Sequence, residues 1–233
     1  MGALPLKTSG KPLIILNFKC YGESIGQNAV KLAKIAEKVS KDVGLSIIVV
    51  PTFVDLQRVA SEVSIPVFSQ HIDPVDLGSH TGFIPPEAVK QAGAAGTLVN
   101  HSERRLLMSD VDAVVSRARD VGLQTCVCTN NATVSAAAAA LSPAMVAIEP
   151  PELIGSGRSV SKTRPEVVTS TVELIRKVND DVIILCGAGI TTGEDARAAI
   201  RLGADGILLA SAFTKASDPA KVLLELARAS KTR

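Results

Sequence analysis

Tryptophan is absent from these 233 residues, tyrosine occurs once and phenylalanine five times. A core with so few rings has to be filled by Val, Ile, Leu and Ala, the usual packing of α/β proteins whose parallel strands are buried on both faces. Net charge is nearly missing too, at +2 from 25 basic and 23 acidic residues. No basic block interleaved with aromatics breaks that balance, which argues against nucleic acid as a partner. The longest apolar runs are strand-sized, too short to span a membrane. The opening Met1-Gly2-Ala3-Leu4-Pro5-Leu6-Lys7 holds no apolar stretch long enough for a secretory signal, so a cytoplasmic location is expected.

Metal-binding spacings are lacking as well. The four cysteines, Cys20, Cys126, Cys128 and Cys186, form no CxxC pair, and no histidine cluster accompanies them. Cys126 and Cys128 share one strand-like segment and are expected on opposite faces, which argues against a mutual disulfide or a shared metal. Free buried thiols in a reducing cytosol are the simpler reading. No metal and no cofactor are expected. No GxGxxG follows the first strand-like run, which weakens any dinucleotide-binding version of the fold.

What the chain does contain is a series of short apolar runs. They are Leu13-Ile14-Ile15-Leu16, Ser46-Ile47-Ile48-Val49-Val50, Val67-Phe68-Ser69 and Thr97-Leu98-Val99, then Gln124-Thr125-Cys126-Val127-Cys128, Met145-Val146-Ala147-Ile148, Val182-Ile183-Ile184-Leu185 and Gly206-Ile207-Leu208-Leu209. Near-continuous apolarity, rather than alternation, predicts strands buried on both faces of a parallel sheet. Amphipathic patterns lie between them. Leu32, Ile35, Ala36, Val39 and Val43 share one helical face. Thr192-Gly193-Glu194-Asp195 and Asp218-Pro219 read as helix starts, and Ala136 to Ala140 as a thin helix rather than disorder. Eight strands alternating with about eight helices predict a (β/α)8 barrel occupying residues 1–233 as a single domain. An eight-stranded doubly wound sheet is the competing fold.

In such a barrel the chemistry sits where strands end and helices begin. Read in order, those corners carry Asn17-Phe18-Lys19-Cys20, Gln70-His71-Ile72-Asp73 and Asn100-His101-Ser102-Glu103-Arg104-Arg105. Then come Glu149-Pro150-Pro151-Glu152-Leu153-Ile154-Gly155-Ser156-Gly157, Gly187-Ala188-Gly189 and Ala210-Ser211-Ala212. Taken singly, a Lys or His at a strand end is usually solvated or structural, and glycines there often serve only tight turns. Together they bring an ammonium, an imidazole beside two carboxylate-pairing arginines, a carboxylate, and small residues able to offer backbone N–H groups to a phosphate. That is a set suited to proton transfer on a small phosphorylated substrate.

The ordered set Asn17-x-Lys19, His101-Ser102-Glu103-Arg104-Arg105, Glu149-Pro150 with Ile154-Gly155, and the paired small residues after the last two strands resembles the triosephosphate isomerase family. The resemblance runs from residue 13 to about residue 215. It implies interconversion of dihydroxyacetone phosphate and glyceraldehyde 3-phosphate through an enediolate, in glycolysis and gluconeogenesis. Glu149 would be the base and His101 a neutral electrophile. Lys19 would supply fixed positive charge and Asn17 a hydrogen bond, both touching substrate. Glu103 would hold Lys19 or handle protons. Ile154, Gly155, Gly189, Ala210 and Ser211 would bind substrate, chiefly by backbone N–H groups to phosphate, and 150–157 would form a lid. Glu152 stands where many relatives carry Trp, Gly189 where they carry a phosphate-binding Ser, and Ala210-Ser211 in place of Gly-Gly. With the short length, those departures are similar to the compact archaeal branch and imply a homo-oligomer, a tetramer in preference to a dimer.

The same resemblance implies that the 71–86 segment projects into a neighbouring subunit and helps order Lys19; a loop this long carrying apolar Val75, Leu77, Phe83 and Ile84 also favours burial in a partner. His71 and His80 are assigned to structure or interface. Two other functions stay open at this point: a different phosphosugar-handling barrel enzyme, and a non-catalytic barrel that binds a triose phosphate.

Overall fold

A computed structural model describes residues 11–150 and 159–231. In its first half lie β1 (Leu13–Asn17), α1 (Gln27–Val43), β2 (Ser46–Val50), α2 (Phe53–Glu62), β3 (Phe68–Ser69), α3 (Pro86–Gln91), β4 (Gly96–Val99) and α4 (Met108–Asp120). The second half holds β5 (Gln124–Thr129), α5 (Ala132–Ala140), β6 (Met145–Ile148), α6 (Val160–Thr163), α7 (Pro165–Val178), β7 (Ile183–Gly187), α8 (Gly193–Arg201), β8 (Gly206–Leu209), α9 (Ser211–Thr214) and α10 (Pro219–Ser230). The strands pair in the order β2-β1-β8-β7-β6-β5-β4-β3. Every pairing is parallel, including first with last, where Leu13 to Leu16 lie beside Gly206 to Leu209. Val49 of β2 bridges Val67, next to β3, and closes the ring. An open doubly wound sheet would leave two strand edges unpaired; here the expected (β/α)8 barrel forms instead.

The period of two along each strand divides the apolar residues into two cores. Leu13, Ile15, Ile48, Val50, Leu98, Met145, Ala147, Leu185 and Leu208 fill the barrel interior. Their neighbours Ile14, Ile47, Val146, Ile184 and Ile207 face outward and pack against the helices. Cys126 and Cys128 overturn one expectation from sequence. They point to the same face, the barrel interior, because residues two apart are one full strand period from each other. All four cysteines are free thiols.

The helices start where the sequence places them. Thr192 and Asp195 form a reciprocal capping box on α8, and the Asp218 carboxylate accepts from the Lys221 N–H ahead of α10, with Pro219 in the first turn. On α1, Leu32, Ala36 and Val39 are buried, with Ile35 and Val43 packed beside them. The alanine-rich stretch is helical, capped by Asn131 accepting from the Val134 N–H. Among the described residues no helix is long and apolar enough to cross a membrane.

Where β8 meets β1 the backbones approach too closely for a side chain. A Cβ added at Gly206 would stand 2.1 Å from the Leu13 carbonyl oxygen. Because that obstacle is backbone within a central strand pair, it cannot rotate aside. We expect Gly206→Ala to destabilise the fold by about 3 kcal/mol, read as a lower midpoint in denaturant unfolding with an unchanged slope. An unchanged midpoint would mean that the strands can separate at this register without cost.

Candidate active site

The inward-facing rows of the strands continue past their ends and deliver the polar side chains. Leu13, Ile15 and Asn17 form one such row; Met145, Ala147 and Glu149 form another. Asn17 and Glu149 are therefore aimed into the barrel mouth by the same alternation that packs its interior. Both are buried.

Lys19 reaches the site through an uncommon backbone conformation, with φ at 48°. Its N–H donates to Asn17 Oδ1 at 3.0 Å, and its carbonyl accepts from Gln70 Nε2 at 3.0 Å, so both neighbours brace the left-handed turn. The ammonium then lies 2.9 Å from Glu103 Oε1. Asn100, just before His101, is also left-handed at 58°. Its side chain donates to the Cys128 carbonyl at 3.0 Å and accepts from the Leu106 N–H at 2.9 Å, which fixes the β4 corner. Strained residues braced in this way cluster at functional sites.

His101 is held by the turn it begins. The Glu103 N–H donates to His101 Nδ1 at 3.2 Å. A nitrogen that accepts cannot also carry a proton, so the neutral ring bears its hydrogen on Nε2. That nitrogen points toward Glu149, whose Oε2 is 3.6 Å away. The separation is too long for a hydrogen bond. Glu149 Oε2 is buried and, among the described residues, has no hydrogen-bond partner. Burial raises the Glu149 pKa, opposed by the neighbouring His101 ring, by a hydrogen bond from the Cys128 thiol and by the charges of Lys19 and Arg105. Beneath it the Cys128 thiol is pushed up by Cys126, by burial and by the Glu149 charge, which keeps it an inert neutral group.

Lys19, His101 and Glu149 line one cavity with Gly189, Ala210 and Ser211. Its volume is about 160 Å³, comparable to cavities that take a benzene-sized ligand. Gly189, Ala210 and Ser211 mark the end suited to an anion, where the first N–H groups of α9 precede any helical acceptor. Tyr21 forms part of the wall, with Lys215 Nζ 4.1 Å from its ring centre. A second, wider hollow of about 620 Å³ opens on the other side of Lys19, lined by Cys20, Val54, Gln70, Glu103 and Arg104 among others.

The sequence profile of the triosephosphate isomerase family matches residues 12–229. The chain belongs to that family. It is similar to the triosephosphate isomerase of Methanobacterium bryantii, at 57% identity over 92% of this chain and 95% of the relative. The enzyme of Methanocaldococcus jannaschii is 53% identical over 92% of this chain and 98% of its own. That of Methanothermus fervidus is 55% identical over 93% and 97%. The compact archaeal resemblance read from the motifs is thus the right branch, and the unrelated phosphosugar barrel drops out.

Against the triosephosphate isomerase pattern, Asn17, Lys19, His101, Glu103, Glu149, Gly189, Ala210 and Ser211 all lie at the barrel mouth. Ile154, Gly155 and residues 151–157 of the expected lid lie outside the described residues. Of the two arginines of the His101 motif, one departs from expectation. Arg104 approaches Asp73 at 3.8 Å, but Arg105 donates to the Asn100 carbonyl at 3.1 Å rather than to a carboxylate. His71 is a buried structural group, bonded to Asp73 at 3.0 Å, and its pKa is lowered by burial.

Sequence reasoning missed three supports of the isomerase site. Gln70 and Asn100 were visible at strand ends but had no partner in the sequence to reveal them. Gly187 was visible only as one of the small residues after a strand, yet its value is space: a Cβ there would stand 2.9 Å from Glu149 Cγ and 3.1 Å from Oε1.

Proposed function

We propose that this enzyme interconverts dihydroxyacetone phosphate and glyceraldehyde 3-phosphate, with Glu149 as the base. Its carboxylate takes a proton from the hydroxylated carbon next to the ketone, and the C–H electrons form the enediolate double bond. Charge then grows on the two substrate oxygens, where His101 Nε2–H donates and Lys19 supplies a fixed positive charge. The protonated Glu149 returns its proton to the neighbouring carbon, while the hydroxyl proton exchanges between the two oxygens. Atoms and charge balance with no added oxidant or cofactor. Asn17 binds beside Lys19, and Glu103, exposed and paired with the ammonium, serves to hold Lys19 in place. The phosphate rests at Gly189, Ala210 and Ser211, with Ile154 and Gly155 as further substrate-binding residues.

One observation carries this reading: a buried carboxylate oxygen with no hydrogen-bond partner among the described residues faces an imidazole N–H beside a cavity that an ammonium also lines. A carboxylate stripped of solvent is a stronger base, and an unoccupied oxygen is free for carbon. Purified protein given glyceraldehyde 3-phosphate should produce the ketone. Its kcat/KM should rise with pH as Glu149 loses its proton, through an apparent pKa above the ordinary glutamate value of 4.5, because burial raises it. No turnover, or an acid limb at or below the ordinary value, would assign the base elsewhere.

The wider reading is a cytoplasmic homo-oligomer serving glycolysis and gluconeogenesis, a tetramer in preference to a dimer. Free thiols suit the reducing compartment. In the 71–86 segment, Leu77 and Phe83 are 67% and 53% exposed, which suits burial by a second copy, and the wider hollow beside Lys19 suits reception of the same segment. Val75 is only half-exposed and Ile84 packs against its own core, so the contact falls to Leu77 and Phe83. Sedimentation equilibrium counts the subunits.

A further inference from the structure

Asp195 was legible in the sequence only as a helix start, but its surroundings exceed what a cap requires. It is buried, and its two oxygens serve two different segments. Oδ2 accepts from the Thr191 N–H at 3.1 Å, the Thr191 hydroxyl at 3.0 Å, the Thr192 N–H at 2.9 Å and the Thr192 hydroxyl at 2.9 Å. Oδ1 accepts from the Ser159 hydroxyl at 2.9 Å and pairs with Lys162 Nζ at 2.9 Å. The Ser161 hydroxyl adds a bond to the Asp195 carbonyl at 3.0 Å, and the Val160 N–H one to the Ala188 carbonyl at 3.3 Å.

The Oδ2 side fixes the stretch that lines the cavity, since Ala188, Gly189, Ile190 and Thr191 all border it. The Oδ1 side fixes residues 159–162, the chain that returns to the barrel from the β6 corner carrying Glu149. Capping α8 needs only the Thr192 and Asp195 exchange. The remaining donors join two segments 32 residues apart in sequence (159 and 191), and burying an ionised carboxylate is costly unless every donor is kept. Burial opposes ionisation of Asp195, but Lys162, Thr192, Ser159 and Thr191 outweigh it and hold the carboxylate well below its usual range.

We propose that Asp195 is a positioning residue for phosphate binding, bracing the Gly189 backbone against the 159–162 segment so that the anion meets a preset grip. The proposal rests on the phosphate end of the site lying at Gly189, Ala210 and Ser211. An amide at this position keeps a single acceptor oxygen and adds a donor, so it can serve one segment and not both.

The experiment compares Asp195→Asn and Ser159→Ala with the wild type. It uses inorganic phosphate as a competitive inhibitor and glyceraldehyde 3-phosphate as substrate, with unfolding midpoints measured alongside. Phosphate should compete in the wild type; if it does not, the reading of the phosphate end fails, and this proposal with it. Given competition, Asp195→Asn should raise the phosphate inhibition constant and KM by about tenfold, with a smaller fall in kcat. Ser159→Ala leaves the α8 cap whole and should move both constants in the same direction by about threefold, with its unfolding midpoint kept. Should Asp195→Asn fail to fold, Ser159→Ala alone decides. Unchanged inhibition and KM in a folded Ser159→Ala protein overturn the proposal, because the Oδ1 side would then contribute nothing to the grip. A loss of kcat alone, with phosphate affinity kept, overturns it too.

Discussion

Glu149→Asp should fold as the wild type does and turn over about 100-fold more slowly, because withdrawing the carboxylate by one methylene spoils the proton-transfer geometry. Glu149→Gln should lose about 1,000-fold or more in kcat, since the amide cannot accept the proton at all. The Gln variant should nevertheless be the more stable protein. Burial raises the Glu149 pKa, so the folded chain binds this proton more tightly than the unfolded chain does. The sign follows from linkage: where the folded state holds more protons, stability falls as pH rises. That loss begins near the ordinary glutamate value of 4.5 and is complete above the raised folded value. Near neutral pH an uncharged side chain escapes it, and a gain of about 1 kcal/mol is expected. Denaturant midpoints across pH measure this. A Gln variant with wild-type turnover would remove Glu149 from the chemistry; one with wild-type stability at every pH would mean that its carboxylate is not penalised by the fold.

Lys19→Ala should weaken inorganic phosphate binding as well as turnover, with kcat/KM lower by about 100- to 1,000-fold. The ammonium borders the cavity beside His101 and Glu149, so in the proposed reaction its charge would act on both the phosphate and the growing enediolate. Its backbone allows a further separation of causes. At φ 48° any L side chain costs about 1–2 kcal/mol, and glycine costs little. Lys19→Gly should therefore match Lys19→Ala in activity and exceed it in stability. Unchanged phosphate affinity in both would confine Lys19 to structure, and equal stability of the two would mean that the turn is not strained.

How much of this was readable beforehand depends on how local each feature is. The strands were, because eight apolar runs between helical patterns state their own burial. β3 was the least so: it forms only Phe68–Ser69, and closure depends on the Val49 to Val67 bridge, a pairing no residue pattern announces. The convergence of Lys19, His101 and Glu149 on one cavity was legible because all three stand at strand ends, which this architecture gathers at one mouth. The role of Gly187 was not, since the volume it leaves vacant belongs to a side chain on the adjacent strand. Asp195 was hidden for the same reason, with Ser159 and Lys162 brought to it only by folding. Cys126 and Cys128 share the barrel interior because residues two apart along a strand return to the same face.

Tyr21 is the sole tyrosine in a chain without tryptophan, and it stands in the cavity wall beneath Lys215. Ultraviolet emission from this polypeptide therefore originates almost wholly from one phenol in the wall of the candidate substrate cavity. Ligand titrations can be followed optically with no label attached, each signal change arising at a known address.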